Sequence, residues 1–199
     1  MTTPNTNKAQ AADPKAERFA LALADHSIRL WDGRQTSEIR KFDGAQDSME
    51  TVAIHPGGRQ IAGGARDGEA IVWDIESGRM LWRRRPGPTA LASVAYSPDG
   101  RYLLASNLAG RGIVWDAASG QPVITLESPN DPASQSAAAF DPSAPSLSPR
   151  AVLSTGSGVR VYELGLDRLR ERARSLLTRK FTNDDCVQYL QRHGCELNP

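Results

Sequence analysis

The sequence predicts an all-β fold, a partial β-propeller of about 3.5–4 blades with a short C-terminal α-helical extension, and three observations predict it. A Trp-Asp pair recurs in one setting, as Ile28-Arg-Leu-Trp31-Asp32, Ala70-Ile-Val-Trp73-Asp74 and Gly112-Ile-Val-Trp115-Asp116. Successive pairs stand 42 residues apart, and an eroded copy, Val159-Arg-Val-Tyr162-Glu163, follows after 47. Between them lie short apolar runs punctuated by Pro, Gly, Asp and Ser, the pattern of half-buried strands joined by tight turns.

Bulk composition narrows the function only by exclusion. The 199 residues carry 24 Lys and Arg against 23 Asp and Glu, a balance that attracts neither nucleic acid nor an acidic partner. About 46% of residues are apolar or Gly, which is ordinary for a soluble domain. No apolar run reaches the ~18 residues that a spanning helix needs. The start, Met1-Thr-Thr-Pro-Asn-Thr-Asn-Lys8, lacks the apolar segment of a secretory signal. Two cysteines, Cys186 and Cys195, are too few for a disulfide scaffold. A cytoplasmic location is expected on these grounds.

Taken in order, residues 1–18 read as a disordered polar arm, since no helical or strand period is visible there. The repeats are expected at 19–46, 47–88, 89–130 and 131–164, with a tail at 165–199. The first unit holds Phe19–Ala24, the turn Asp25-His26-Ser27, Ile28–Trp31 and a strand near Glu38–Phe42. With no strand before Phe19, the chain is expected to begin partway through a repeat. The second unit is complete: Thr51–Ile54, the turn His55-Pro56-Gly57-Gly58, Gln60–Gly63, Ala70–Asp74 and Met80–Trp82. Pro at the second turn position has the φ that a type I turn requires. The third unit repeats the plan through Ser93–Tyr96, Ser97-Pro98-Asp99-Gly100, Tyr102–Ala105, Gly112–Asp116 and Pro122–Leu126. The fourth keeps three strands, Ala137–Phe140, Ala151–Ser154 and Val159–Tyr162, around a loop swollen at 143–149. Beyond it, Leu166, Leu169, Ala173, Leu176 and Leu177 fall at helical spacing, and a second short helix starts near Thr182.

The three Trp-Asp pairs, with Ser97-Pro-Asp-Gly100, resemble the WD40 repeats of a bacterial WD40-repeat protein over residues 19–164. The resemblance implies that Trp31, Asp32, Trp73, Asp74, Trp115 and Asp116 are structural repeat residues. It further implies that Asp25 and Asp67, each six residues before a Trp, accept hydrogen bonds in a buried network with a His, a Ser or Thr and the Trp. Ala109 and Gly156 stand at that place in the third and fourth units. The Gly-His that opens each family repeat is missing, with Gly44-Ala45 and Pro88-Thr89 in its stead, so the network is expected to be partial. The tail is similar to the helical segment closing large bacterial WD40 signalling proteins. That likeness implies an alternative role as the regulatory or sensor end of a signalling NTPase or kinase.

Such blades must close, because an open arc leaves strand edges and apolar faces wet. Three outcomes satisfy that demand: C-terminal helices cap the arc, two chains form one ring, or a missing half of the propeller completes it.

Candidate chemistry is sparse. Cys186, His193 and Cys195 lack paired Cys-x-x-Cys spacing and read as structural rather than as a metal site. Arg83-Arg84-Arg85 could touch phosphate, but a solvated outer strand is the reading adopted. The basic surplus between Arg160 and Lys180 reads first as an ion-paired helix face and second as a steering patch for nucleic acid or an acidic protein. No phosphate-cradling Gly-Lys-Ser/Thr loop and no Gly-x-Ser-x-Gly elbow is present in the sequence. The function expected is a non-catalytic protein–protein interaction scaffold, without cofactor or metal, whose unidentified protein partners meet a loop rim near Asp47, Arg66, Arg85 and Gly110. Ligand binding or hydrolysis in a central channel is a weaker reading.

Overall fold

A computed structural model describes residues 7–13, 18–126, 137–144, 149–155 and 158–165. The expected tail helices, with Cys186, His193 and Cys195, lie outside the described residues. The chain divides into two compact units, Met1–Leu164 and Gly165–Pro199, and every strand below belongs to the first.

Four antiparallel sheets follow one another, each ordered as a simple meander. Sheet one holds β1 (Asn7–Asp13), β2 (Arg18–Leu23), β3 (Ile28–Asp32) and β4 (Ser37–Phe42). Sheet two holds β5 (Met49–Ile54), β6 (Gln60–Ala65), β7 (Ala70–Asp74) and β8 (Met80–Arg84). Sheet three holds β9 (Leu91–Tyr96), β10 (Tyr102–Asn107), β11 (Gly112–Asp116) and β12 (Pro122–Leu126). Sheet four holds β13 (Ala138–Phe140), β14 (Arg150–Thr155) and β15 (Gly158–Glu163). The first strand of each sheet packs on the first strand of the next, β1 on β5, β5 on β9 and β9 on β13. These strands line an axis, and the sheets radiate from it as the blades of a partial propeller.

Register makes the repetition strict. Phe19 faces Trp31, Ile61 faces Trp73, Leu103 faces Trp115 and Ala151 faces Tyr162 across the second and third strands. A bulge falls at the same tryptophan in the first three sheets, between Leu30 and Trp31, Val72 and Trp73, and Val114 and Trp115.

The disordered arm expected over residues 1–18 is corrected at Asn7–Asp13, which form β1. Asn7–Asp13 pairs antiparallel with β2, Gln10 opposite Leu21 and Ala12 opposite Phe19, so the first sheet is whole and does not begin partway. The strand escaped the sequence reading because its inward residues, Ala9 and Ala11, are small and carry little hydrophobic signal. Backbone hydrogen bonds form this ladder, and its side chains need only fit against the core.

Three apolar seams hold the blades. Ala20, Ile28, Leu30 and Phe42 of the first blade meet Ile61, Ile71 and Trp73 of the second. Ala62, Val72 and Trp82 meet Leu103, Ile113 and Trp115 at the next seam, and Leu104, Val114 and Leu126 meet Phe140, Ala151 and Leu153 at the last. Each large aliphatic or aromatic side chain so buried contributes roughly 1.5–3 kcal/mol. An aromatic side chain of the outermost strand tilts onto the next blade's tryptophan twice, Phe42 on Trp73 and Trp82 on Trp115, both with centroids 6.0 Å apart.

Tight turns fix the strand ends. Gly68 has φ +87°, and a Cβ there would run into the backbone carbonyl of Gly87, which cannot move aside as a side chain could. Gly68→Ala is expected to cost about 1–3 kcal/mol, lowering the thermal midpoint by several degrees. Gly87→Ala, where nothing lies within 4 Å of an added Cβ, should leave it unchanged in the same melting experiment.

Candidate interaction rim

Strands alternate in direction, so the connections sort to two ends of each blade. One end carries Asp25–Ser27, the 43–48 loop, Arg66–Gly68, the 85–90 loop and Leu108–Gly110. The other carries His55–Gly58, Glu76–Gly78, Ser97–Gly100 and Ala118–Gly120. All four rim residues expected from the sequence, Asp47, Arg66, Arg85 and Gly110, therefore sit at the first end.

There the loop entering a blade is tied to the turn between that blade's second and third strands. The Arg66 N–H donates to the Ser48 carbonyl at 2.9 Å, and the Leu108 N–H to the Ala90 carbonyl at 3.0 Å. Asp47 is spent locally, its carboxylate accepting from the Ser48 N–H at 2.7 Å. Arg85 pairs with the Asp67 carboxylate and donates to the Asp67 carbonyl at 3.0 Å. Gly110 is buried in its turn and supplies shape, while Leu108 and Ala109 in the same turn are exposed. Beside the axis at this end opens a cavity of about 530 Å³ lined by Lys8, Glu50, Arg66, Leu91, Leu108 and Ala137, among others. Lys8 and Glu50 form an ion pair of 3.9 Å across the first two blades. Sequence reasoning missed Lys8 because β1 was missed. It missed Glu50 because an acidic residue on an inner strand carries no motif.

The Arg83–Arg85 run is a brace. Arg83 donates to the Gly44 carbonyl, Arg84 to the Gly120 carbonyl at 2.8 Å, and Arg85 to Asp67. Arg83 and Arg84 reach from β8 to loops on either side of the second blade, and Arg85 joins the 85–90 loop to the Arg66–Gly68 turn.

The repeat residues divide their labour. Asp74 and Asp116 cap the turn after their strand, each accepting from a backbone N–H and a hydroxyl, of Ser77 at 2.7 and 2.6 Å and of Ser119 at 2.9 and 2.7 Å. Those hydroxyl bonds, then the backbone N–H groups, hold both carboxyls below the usual range. Asp32 caps its own turn by accepting from the N–H groups of Arg34 and Gln35, at 2.8 and 2.9 Å. Asp25 bonds Ser27 and Arg29, and Asp67 bonds Arg85 and the Glu69 N–H. The Trp73 indole N–H donates instead to the Asp43 carbonyl of the preceding blade at 3.1 Å. In the third unit, Asn107 organises the turn, its amide oxygen accepting from Ala109 and Arg111 N–H groups at 3.1 and 3.0 Å.

At the opposite end, His55 bridges two blades. Its Nδ1 accepts from the Gly57 N–H at 2.8 Å, so Nε2 carries the proton given to the Gly100 carbonyl at 3.1 Å. The ring also meets Tyr96 edge-on at 5.1 Å. Burial lowers its pKa from 6.5 against the opposing pull of the Gly100 carbonyl. Among the described residues, no group of three or more His, Cys, Asp and Glu side chains could hold a metal.

Radially stacked meander sheets with their loops gathered at two ends define the chain as a partial β-propeller. Residues 36–74 match the WD40 family model, described as WD domain, G-beta repeat. The matched span runs from β4 through β7, so one sequence repeat crosses from the outer edge of one blade into the next. Small ribosomal subunit protein RACK1y of Oryza sativa subsp. japonica is 28% identical over 75 residues, 38% of this chain and 22% of that protein. Coronin-7 of Rattus norvegicus is 33% identical over 73 residues, 37% of this chain and 8% of the relative. A guanine nucleotide-binding protein subunit beta of Arabidopsis thaliana is 33% identical over 69 residues, 34% and 18% of the two chains. The matches thus span less than a quarter of these relatives' length.

Two measurements check this geometry. Trp73→Phe removes buried ring and an accepted indole bond, so denaturant unfolding should show a loss of about 2–4 kcal/mol. Trp31→Phe should cost less than about 1.5 kcal/mol, because the Trp31 ring is only partly buried and its indole N–H has no acceptor among the described residues. For His55, the unfolded chain takes up the proton first as pH falls. Stability is therefore complete above about 6.5 and declines below it, a slope that His55→Gln should remove from a titration of unfolding midpoints.

Proposed function

We propose that the chain is a non-catalytic protein–protein interaction scaffold whose partner docks on the rim formed by Arg66, Leu108 and the axial cavity. WD40 repeats typically serve as interaction scaffolds, and two of the relatives are by name a ribosomal subunit protein and a subunit of a guanine nucleotide-binding protein. The observation that carries the reading is the cavity of about 530 Å³, whose Ala92 and Leu108 offer apolar contact beside the Arg66 cation and the Lys8–Glu50 pair. That combination suits a peptide segment with one apolar anchor and a neighbouring carboxylate. The loops around it are tied to one another by backbone hydrogen bonds, which reduces the ordering entropy that binding costs.

Partners captured from the native host by the wild-type chain should lose tenfold or more in affinity with Leu108→Asp or Arg66→Glu, a change of at least about 1.4 kcal/mol. Arg79→Glu, an exposed site at the opposite end, should leave them bound. A partner lost only with Arg79→Glu would move the docking face to the other end of the blades.

A further inference from the structure

Among the described residues, the first and last blades each present an uncovered face, and the two faces match. Within the arc, every seam sets the trailing face of one blade on the leading face of the next. The trailing positions Ala20, Ile28 and Leu30, then Ala62, Ala70 and Val72, are wholly buried, as are Leu104 and Val114. By register, the corresponding residues of the fourth blade are Val152, Val159 and Val161. Val152 is partly exposed, and Val159 and Val161 are 67% and 57% exposed.

The leading face of the first blade shows the reciprocal deficit. Phe19 and Trp31 occupy the places of Ile61 and Trp73, and Leu21 that of Gly63. Ile61 and Trp73 are 0% and 1% exposed, whereas Phe19, Leu21 and Trp31 are all partly exposed. The Phe19 and Trp31 rings stack with centroids 6.3 Å apart, ready as one flat apolar surface. The indole N–H records the same gap: Trp73 donates to a carbonyl of the preceding blade, while the buried Nε1 of Trp31 has no acceptor among the described residues. Arg29, where the next blades have Ile71 and Ile113, is neutralised by Asp25 and Glu38, each at 3.2 Å.

We propose that a second copy of this chain covers both faces, the trailing face of each fourth blade seating on the leading face of the other copy's first blade. The contact repeats the internal seams in kind, and it is head-to-tail, so two arcs of four sheets close into one ring of eight. Eight blades lie within the range that propellers adopt, and closure prevents a head-to-tail contact from growing into a filament. In this register Val159 of one copy lies opposite Leu21 of the other, as Ile28 lies against Gly63 and Leu153 near Gly112. The Val159–Leu21 pair is the bulkier, so the copies meet at a wider spacing than blades within one chain.

Sedimentation of the full chain from about 1 to about 200 μM tests the proposal. The expected result is a concentration-dependent shift to the mass of two chains. Val159→Arg and Leu21→Arg should each hold the chain at the mass of one, with circular dichroism unchanged. Leu81→Arg, exposed on the outer strand β8 and away from both faces, should leave the pair intact. In the indole region of a nitrogen-15 NMR spectrum, the Trp31 N–H, assigned through Trp31→Phe, should exchange more slowly as the pair forms. A one-chain mass at every concentration overturns the proposal. So does a pair that survives either face variant, or a series of ever larger masses.

Discussion

A sheet of four short strands has two apolar faces, and the inner blades of this protein hide both only by lying between neighbours. The tryptophan at the end of the third strand is where that constraint concentrates. Trp73 and Trp115 are buried beneath the outermost strand of the blade before, touched by Phe42 and Trp82, and Trp73 is tied to the preceding loop at Asp43. Radial order follows from this contact, since the tryptophan lies on its own blade while the residues that cover it come from the previous one. Tyr162 fills the corresponding place in the fourth blade and packs against the third seam.

Chain connectivity reinforces the same seam. Because residues 36–74 comprise the outer strand of the first blade and the three inner strands of the second, the segment that covers a tryptophan and the segment that bears it are covalent neighbours. The loop between them, 43–48, is held by the Arg83 and Trp73 bonds to Gly44 and Asp43. A seam built this way costs little loop-closure entropy, and each blade can fold onto the last with mostly local contacts.

Most of this was legible in the sequence because the periodic signals are large side chains. The 42-residue beat of Trp-Asp, the alternation of Val, Ile and Leu, and the Pro-Gly turns placed nearly every strand from β2 to β15. The pleat then fixed which residues share a face. What stayed hidden had physical reasons. Strand β1 presents Ala9 and Ala11, too small to mark a period. The roles of Arg83, Arg84 and Arg85 depend on carbonyls 18 to 39 residues away, which no local pattern announces. The stand-in of Asn107 for the missing turn aspartate was also out of reach, because it works from a different position in the turn. The four expected rim residues share one end of the blades, as strand alternation alone requires, yet Gly110 is covered and Leu108 in the same turn projects.

The placement of charge explains why such a rim suits recognition. The cations of the Arg83–Arg85 run, which a charge count would offer to a ligand, are consumed in holding loops. Arg83 and Arg84 reach backbone carbonyls, which stay acceptors at every pH, so these braces do not loosen as carboxylates titrate. Arg85 and Asp67 instead lock the loop that carries Arg66. Arg83 ties the rim's 43–48 loop to the outer strand of the second blade, so the geometry of the loop rim and the integrity of the blade stack are one thermodynamic unit. A partner spanning two loops of that rim binds only the stacked arrangement and must stabilise it in proportion to its affinity. The rigidity that lets adjacent blades bury their tryptophans is thus the same property that makes the rim a preformed docking surface.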